Sequence, residues 1–157
     1  MSGESIKTNV VYVTRDIERA LGMEPVGNYF IISNDTPYGQ EILKKYPNNV
    51  WLVKSDKQLD TFDLLKDEKV KENITRHKIP ILVFQNTSRI EAFSKENGWE
   101  LLNPSAELSK KVEEKMSQYV WLGDLQKYLP KTEIKTVSEI KFTGEPIVVQ
   151  FNHAHTG

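Results

Sequence analysis

Short apolar segments recur along the chain at spacings that leave room for one helix between each pair. They are rich in β-branched and aromatic residues, and several are apolar at consecutive positions, which is typical of strands covered on both faces of a parallel sheet. The clearest predicted strands are 29–33, 50–53, 79–84, 99–102 and 147–151. A weaker pattern favours a strand at 10–13 and then a helix at 15–21. Together these segments predict an α/β fold in which helices cover both faces of a parallel sheet.

Helix signals occupy the segments between the predicted strands. Ser88 and Glu91 have the spacing of a capping box, and Gly98 stands where a glycine commonly follows a helix. Earlier in the chain, the segment 58–76 is highly charged but contains enough apolar positions for the buried sides of two short helices.

A change in organisation is predicted around Pro104. Asn103 and Pro104 have the pattern of an N-cap followed by proline at the first helical position. An apolar residue then recurs every three or four positions, which predicts one helix that runs to near Gly123. This stripe consists of Leu108, Val112, Met116 and Tyr119. Since the alternation of strands and helices stops here, we expect two domains, 1–103 and 104–157, the second of them a partial α+β segment.

The composition excludes several classes of protein. With 38% hydrophobic and 27% charged residues over 157 positions, the chain has the composition of a globular protein. Lys and Arg number 21 against 22 Asp and Glu, so the net charge of −1 gives no strong basic field for nucleic acid or an anionic membrane. The lack of cysteine excludes disulfides and thiolate chemistry. Because neither a membrane-spanning apolar stretch nor an export signal is present, we expect a cytoplasmic protein.

Two polar segments that follow predicted strands are the first candidates for ligand contacts. Asn34 comes after one strand, and Asn86 and Thr87 come after the strand at 79–84. Ligands of open α/β sheets bind at the carboxyl ends of the strands, where amides and hydroxyls can hold a small anion or an amide. These three residues are therefore candidate substrate-binding residues. The same residue types also form turns and helix caps, so that interpretation stays open as well.

Other cofactor sites lack their sequence signatures. Gly39 is the only glycine close after a predicted strand, so a dinucleotide-binding turn is not expected, and the chain contains no P-loop motif. His153 and His155 flank Ala154 and would suit the start of a zinc site, but no third ligand is identifiable. We interpret them as polar residues entering a loop, and we assign neither a metal ligand nor a catalytic residue.

One segment and the end of the chain resemble a known superfamily. Residues 101–115, Leu-Leu-Asn-Pro-Ser-Ala-Glu-Leu-Ser-Lys-Lys-Val-Glu-Glu-Lys, resemble the junction of ATP-grasp proteins, where a Rossmann-like pre-ATP-grasp domain precedes the nucleotide-binding domain. In that junction a strand and a Pro-Ser turn lead into a helix that carries a lysine roughly three turns on. Residues 146–157 resemble the following strand and the start of the Gly-rich loop that folds over the ATP phosphates. By element order the resemblance covers the whole chain.

The resemblance assigns cofactor-binding roles to four residues. Lys115 takes the place of the nucleotide-contacting lysine, whose ammonium would offset the charge of the phosphate oxygens. Gln150 stands where the family usually has a second lysine, so the chain offers an amide in place of a charge. Thr156 and Gly157 would open the Gly-rich loop, whose backbone amides cradle phosphate. Without the resemblance, Lys115 is interpreted as an ordinary solvated helix lysine.

A function is also implied by the resemblance. ATP-grasp enzymes use ATP and Mg²⁺ to activate a carboxylate as an acylphosphate and pass the acyl group to an amine or another nucleophile. The chain would be the N-terminal fragment of such a ligase, truncated at the Gly-rich loop. It would contribute part of the small-molecule substrate cleft and the first ATP-contacting helix, and we expect it to be inactive alone and to bind ATP and Mg²⁺ weakly.

The alternative function is a free-standing α/β module that binds a small molecule or another protein without catalysis. A truncated ligase fragment would also expose apolar surface meant for the missing part, for example around Tyr119 and Trp121, which makes a homodimer a further expectation. Neither nucleic acid nor a membrane is expected as a partner.

Overall fold

The computed structural model describes residues 9–142 and 144–152. The chain divides into two compact units, of which the first ends at Ala106 and the second begins at Glu107. The cofactor-binding roles predicted for Thr156 and Gly157 fall outside the described residues, as do His153 and His155.

A four-stranded parallel sheet forms the centre of the first unit. Its strands are β1 (Val10–Val13), β2 (Tyr29–Asn34), β3 (Val50–Val53) and β4 (Ile81–Val83), and their order in the sheet is β3-β2-β1-β4. The predicted α/β fold with a parallel, Rossmann-like sheet is therefore confirmed. The strand expected at 99–102 is reduced to one parallel bridge between Leu101 and Ile81 beside β4.

Helices connect the strands of the first unit. They are α1 (Pro37–Lys45), α2 (Thr61–Lys66), α3 (Glu68–His77) and α4 (Ser88–Glu96). The charged segment thus forms two short helices, α2 and α3, as its apolar positions predict. The segment expected as a helix at 15–21 forms only a short 3-10 helix, Ile17–Ala20.

Two apolar layers cover the two faces of the sheet. Alternate residues of each strand point to opposite faces, so Val11 and Val13 belong to one layer and Tyr12 to the other. The first layer is completed from α2, α3 and α4 by Leu64, Leu65, Val70, Ile74 and Ile90. The second layer is completed from the 3-10 helix and α1 by Ile17, Ala20, Ile42 and Leu43. Both faces are therefore buried, which explains why the strands are apolar at consecutive positions.

The start of α4 differs from the predicted capping box. Thr87 is the N-cap, because its backbone is extended and its Oγ1 accepts a hydrogen bond from Ile90 N, whereas Ser88 is already helical. Glu91 Oε2 accepts a hydrogen bond from Ala106 N. The predicted end of the helix is confirmed, since Gly98 follows it with a φ of +67°.

Asn103 is not the helix N-cap that its position before proline predicts. Its Oδ1 accepts a hydrogen bond from Val83 N at 2.8 Å, and its Nδ2 donates to Val83 O at 2.7 Å. The amide thus imitates a neighbouring strand at the end of β4. The next helix, α5 (Ala106–Glu113), consequently begins later than expected.

The single long helix predicted from residue 104 onward is two helices. Between α5 and α6 (Lys115–Trp121), Glu114 has an extended backbone with a ψ of 119°. The Leu108 stripe stays largely exposed, so no packing supports one continuous helix through this point. Two 3-10 helices follow, Gly123–Tyr128 and Val137–Glu139.

The strand expected at 147–151 is absent from the described part of the second unit. No neighbouring strand is described there with which these residues could pair, and an extended segment without a partner is not a strand. None of the described residues from 107 onward is buried, and Trp121, Phe142, Val148 and Phe151 are all at least half exposed.

Candidate functional site

The order of the strands identifies one edge of the sheet as the place for a site. From β1 the chain proceeds to β2 and β3 on one side, and β4 then pairs with the other side of β1. Such a reversal leaves a crevice at the carboxyl ends of the two strands that flank it. The residues at this crevice are those that follow β1, from Thr14 onward, and those that follow β4, from Phe84 onward. We call this side of the sheet the carboxyl edge.

Asp16 is the centre of a polar cluster after β1. Its Oδ2 lies 3.1 Å from Arg15 Nη2 and 3.3 Å from Arg19 Nε. Its Oδ1 accepts a hydrogen bond of 3.0 Å from Gln58 Nε2. The hydrogen bond to Asp16 and its negative charge raise the pKa of the Arg15 guanidinium, with a smaller contribution from Asp60. One carboxylate therefore holds two guanidinium groups.

Arg19 also joins the loops after β1 and β4. Its guanidinium carbon lies 4.1 Å from the centre of the Phe84 ring. Phe84 follows β4 directly and is 56% exposed. This geometry is a cation–π stack, which attracts the cation to the ring face and leaves the N–H groups at the rim of the guanidinium directed outward. Burial raises the pKa of nearby Tyr12, and the charge of Arg19 opposes that rise.

A second arginine is stacked on a phenylalanine at the same edge. The guanidinium carbon of Arg89, in the first turn of α4, lies 3.6 Å from the centre of the Phe62 ring in the first turn of α2. Both helices begin at the carboxyl edge, because each follows a strand of the parallel sheet. The remaining arginine of the chain, Arg76, lies in the last turn of α3, near the opposite edge, and pairs with Glu72.

Asn34 holds the backbone beside the Asp16 cluster in place through hydrogen bonds of its side chain. It is buried, and its Nδ2 donates to Arg15 O and to Leu59 O, each at 2.9 Å, while its Oδ1 accepts from Leu59 N at 2.9 Å. Ser33 Oγ donates a further hydrogen bond to Arg15 O. The side chain of Asn34 thus ties the loop after β1 to the loop before α2.

Asn86 and Thr87 also make contacts within the loops. Asn86 is buried, and its Nδ2 donates to Pro104 O at 2.8 Å, whereas its Oδ1 has no hydrogen-bond partner among the described residues. Thr87 is exposed and caps α4. Asn34, Asn86 and Thr87 all lie at the carboxyl edge, as expected, and their roles there include fixing turns and a helix end. Their contact with a substrate stays a prediction.

In the second unit, Lys115 lies beside the last described residues. Lys115 N donates to Asn152 O at 3.1 Å, and Met116 N donates to Asn152 Oδ1 at 3.0 Å. Asn152 thereby accepts from the first two backbone N–H groups of α6, which Glu114 does not cap with its side chain. Gln150, two residues before Asn152, is exposed, and Lys115 is half-buried. Two of the residues assigned to a nucleotide site are described. Of these, Lys115 contacts Asn152, and Gln150 lies two residues before it in the sequence.

A cavity of about 220 Å³ opens at the amino edge of the sheet, opposite the edge that carries Arg15, Arg19 and Arg89. Its walls are mainly apolar and include Phe30, Trp51, Ile74, His77 and Ile79. His77 itself is exposed. The cavity and the charged side chains at the carboxyl edge are therefore separate features.

Two further features, a metal-binding cluster and a membrane-spanning helix, are absent from residues 9–142 and 144–152. These residues contain no group of three or more His, Asp or Glu side chains arranged to hold a metal ion. None of their helices combines the length and the apolar character needed to cross a bilayer.

The comparisons found no known family, no curated protein and no solved structure that matches this chain. The site is therefore defined by its own geometry. Sequence reasoning missed Arg15, Arg19, Phe84 and Arg89. For the arginines a signal existed, because arginine is rarer than lysine in this chain and Arg15, Arg19 and Arg89 follow predicted strands by a few positions, whereas Phe84 is included in the predicted strand 79–84.

Proposed function

We propose that this chain supplies the substrate-side α/β domain and the first nucleotide-contacting elements of an ATP-grasp carboxylate–amine ligase. The observation that supports this function best is the pair of hydrogen bonds from Lys115 N and Met116 N to Asn152. They join the two segments on which the resemblance rests, which are far apart in the sequence. We also propose a cytoplasmic location, which the lack of cysteine supports.

The described residues fit part of a nucleotide site. The half-buried Lys115 at the start of α6 can place a mobile positive charge near phosphate oxygens. The exposed Gln150 amide can donate to a phosphate or accept from an adenine amino group. Bound ATP would supply the phosphoryl group that activates a carboxylate. No Mg²⁺ ligands are assigned, because the described residues contain no suitable cluster.

Nuclear magnetic resonance of the 157-residue protein tests this function. We expect millimolar Mg²⁺–ATP to shift the amide signals of residues 115–116 and 150–152 in a saturable manner, and Lys115→Ala to weaken binding by about 1–3 kcal/mol. Lys111→Ala is the matched control, since Lys111 lies at the exposed end of α5. Failure of ATP to shift these signals, or equal losses in both variants, would contradict the nucleotide role. Purified chain should release no phosphate from ATP.

A second candidate function is a small-molecule-binding module without catalysis. The arginine and phenylalanine side chains at the carboxyl edge favour it, because they offer charge and apolar surface in the crevice where such sheets bind ligands. Binding at this edge by a chain with no ATP response would select this function over the first.

We further propose that two copies associate through the second unit. Trp121 is 50% exposed there, and many other large apolar side chains are also exposed. Sedimentation equilibrium should show concentration-dependent dimers that Trp121→Ser weakens. A strictly monomeric protein at high concentration would contradict this proposal.

A further inference from the structure

We propose that the carboxyl edge holds an oxyanion-binding site in which Arg19, stacked on Phe84, receives the carboxylate or phosphate group of an organic small molecule. The inference rests on the second candidate function, binding at this edge, and names the ligand class for it. It does not depend on the nucleotide contacts of Lys115.

Arg19 is better placed than Arg15 to receive a ligand. Arg15 directs both Nε and Nη2 to the carboxylate of Asp16. Arg19 directs only Nε to Asp16, and its terminal Nη groups have no hydrogen-bond partner among the described residues. The planar terminal N–H groups of a guanidinium match the geometry of a carboxylate or phosphate and can donate to it in pairs.

The position of Arg19 is fixed before any ligand arrives. Two other residues of the same 3-10 helix, Ile17 and Ala20, are buried against the sheet. Thr14 Oγ1 donates to Asp16 O at 3.1 Å, and the Phe84 ring supports the guanidinium from the β4 side. A side chain that is already held in one geometry loses less conformational entropy on binding.

The acidic and basic side chains named at this edge balance one another. Asp16 offsets one of the two positive charges of Arg15 and Arg19, and Asp60, which caps α2, acts on Arg15. Arg89, at the same edge, has no acidic partner among the described residues. The exposed carboxylate of Glu18 is the acidic group next to Arg19 in the sequence. Arg15, Arg19 and Arg89 are thus matched in number by Asp16, Asp60 and Glu18, so the attraction of an anion rests on the terminal N–H groups of Arg19 and not on net charge.

Phe84 indicates what else the ligand contains. One face of its ring is covered by Arg19, yet the residue stays 56% exposed. An exposed ring beside a guanidinium gives apolar contact to a carbon skeleton while the oxyanion meets the cation. An organic carboxylate or phosphate ester therefore fits the site better than an inorganic anion.

The experiment follows the Nε–Hε signals of the four arginines in the full chain. The probes are phenylacetate, phenyl phosphate, inorganic phosphate and, as a cationic control, benzylamine. We expect one or both aromatic oxyanions to shift the Arg19 signal saturably and to bind more tightly than inorganic phosphate, with no effect of benzylamine. The two aromatic probes distinguish a carboxylate from a phosphate ester as the preferred group.

Three variants complete the test. Arg19→Gln should lower the affinity for the preferred probe by about tenfold or more, and Arg19→Lys should lower it less, because it keeps the charge and loses the paired donors. Arg76→Gln, an exposed arginine at the opposite edge, is the control and should change nothing. Equal losses in Arg19→Gln and Arg76→Gln, or no response of the Arg19 signal to any probe, would overturn the inference. If probes shift amides of residues 34 or 86 without the Arg19 signal, the binding module stands and this inference fails.

Discussion

The guanidinium of Arg19 lies over the ring of Phe84, with 4.1 Å between the guanidinium carbon and the ring centre. The two residues belong to the loops that follow β1 and β4, the neighbouring strands between which the order of the sheet reverses. Their contact therefore lies at the carboxyl ends of two neighbouring strands, where open α/β sheets bind their ligands. It places a positive charge and an apolar surface side by side there.

Replacing Phe84 by alanine tests how far the ring positions Arg19. We expect Phe84→Ala to leave the free energy of unfolding within about 1 kcal/mol of the parent, since exposed cation–π contacts are worth about 0.5–1 kcal/mol. The Arg19 Nε–Hε group should become more mobile on the nanosecond scale, which heteronuclear relaxation measures. Phe142→Ala, an exposed phenylalanine of the second unit, is the control. An Arg19 signal with unchanged order in Phe84→Ala would show that the ring does not hold it.

Asn34→Ala should be much more destabilising. The substitution removes the hydrogen-bond partner of Leu59 N and Leu59 O and leaves Arg15 O with Ser33 Oγ alone, and Asn34 is only 4% exposed. We expect a loss of about 1–3 kcal/mol, the cost of unsatisfied buried polar groups. Asn48→Ala, at an exposed asparagine, should stay within about 0.5 kcal/mol. Urea unfolding measures both variants, and similar stabilities for the two would contradict a structural role for Asn34.

Gly39, in the first turn of α1, marks a close approach between that helix and the end of β2. An added Cβ would lie 3.1 Å from Thr36 Oγ1, 3.2 Å from Leu52 Cδ2 and 3.3 Å from Asn34 O. Overpacking costs about 1–3 kcal/mol, which exceeds the gain of about 0.5–1 kcal/mol from replacing a helical glycine by alanine.

We therefore expect Gly39→Ala to lower the midpoint of urea unfolding. Gly22→Ala is the matched control, because a Cβ there meets no atom within 4 Å. That variant should be neutral or slightly stabilising. If Gly39→Ala were as stable as Gly22→Ala, the first turn of α1 would have to lie farther from β2.

Local patterns predict the parts of this fold that depend on neighbouring residues. The strands, α2 and α3, and the glycine after α4 follow from apolar periodicity and from residues with special backbone preferences. Asn103 shows where such reasoning fails. Next to Pro104 it has the pattern of an N-cap, yet its amide pairs with Val83, which is distant in the sequence.

The candidate site shows the same limit. Arg19 contacts Phe84 only because β4 pairs with β1. No local sequence pattern predicts this order of strands. Sequence reasoning therefore placed Asn34 and Asn86 at the carboxyl edge, but did not single out the cations near them. In the second unit, the break at Glu114 coincides with contacts from Asn152, which again are long-range.

Tyr29 gives a prediction about pH. Burial raises its pKa from 10.0 to about 12, and its hydroxyl donates a hydrogen bond of 2.7 Å to Ala20 O, which fastens the 3-10 helix carrying Arg19. The folded protein therefore binds this proton more tightly than the unfolded chain does. The resulting stability is fully present below pH 10 and is lost as the pH rises toward about 12.

Tyr29→Phe should show a smaller loss of stability over this alkaline range, measured by urea unfolding at several pH values. Tyr128→Phe, at a tyrosine that is 75% exposed, should keep the slope of the parent. Parallel pH profiles for the parent and Tyr29→Phe would mean that the Tyr29 hydroxyl titrates equally in the folded and unfolded states.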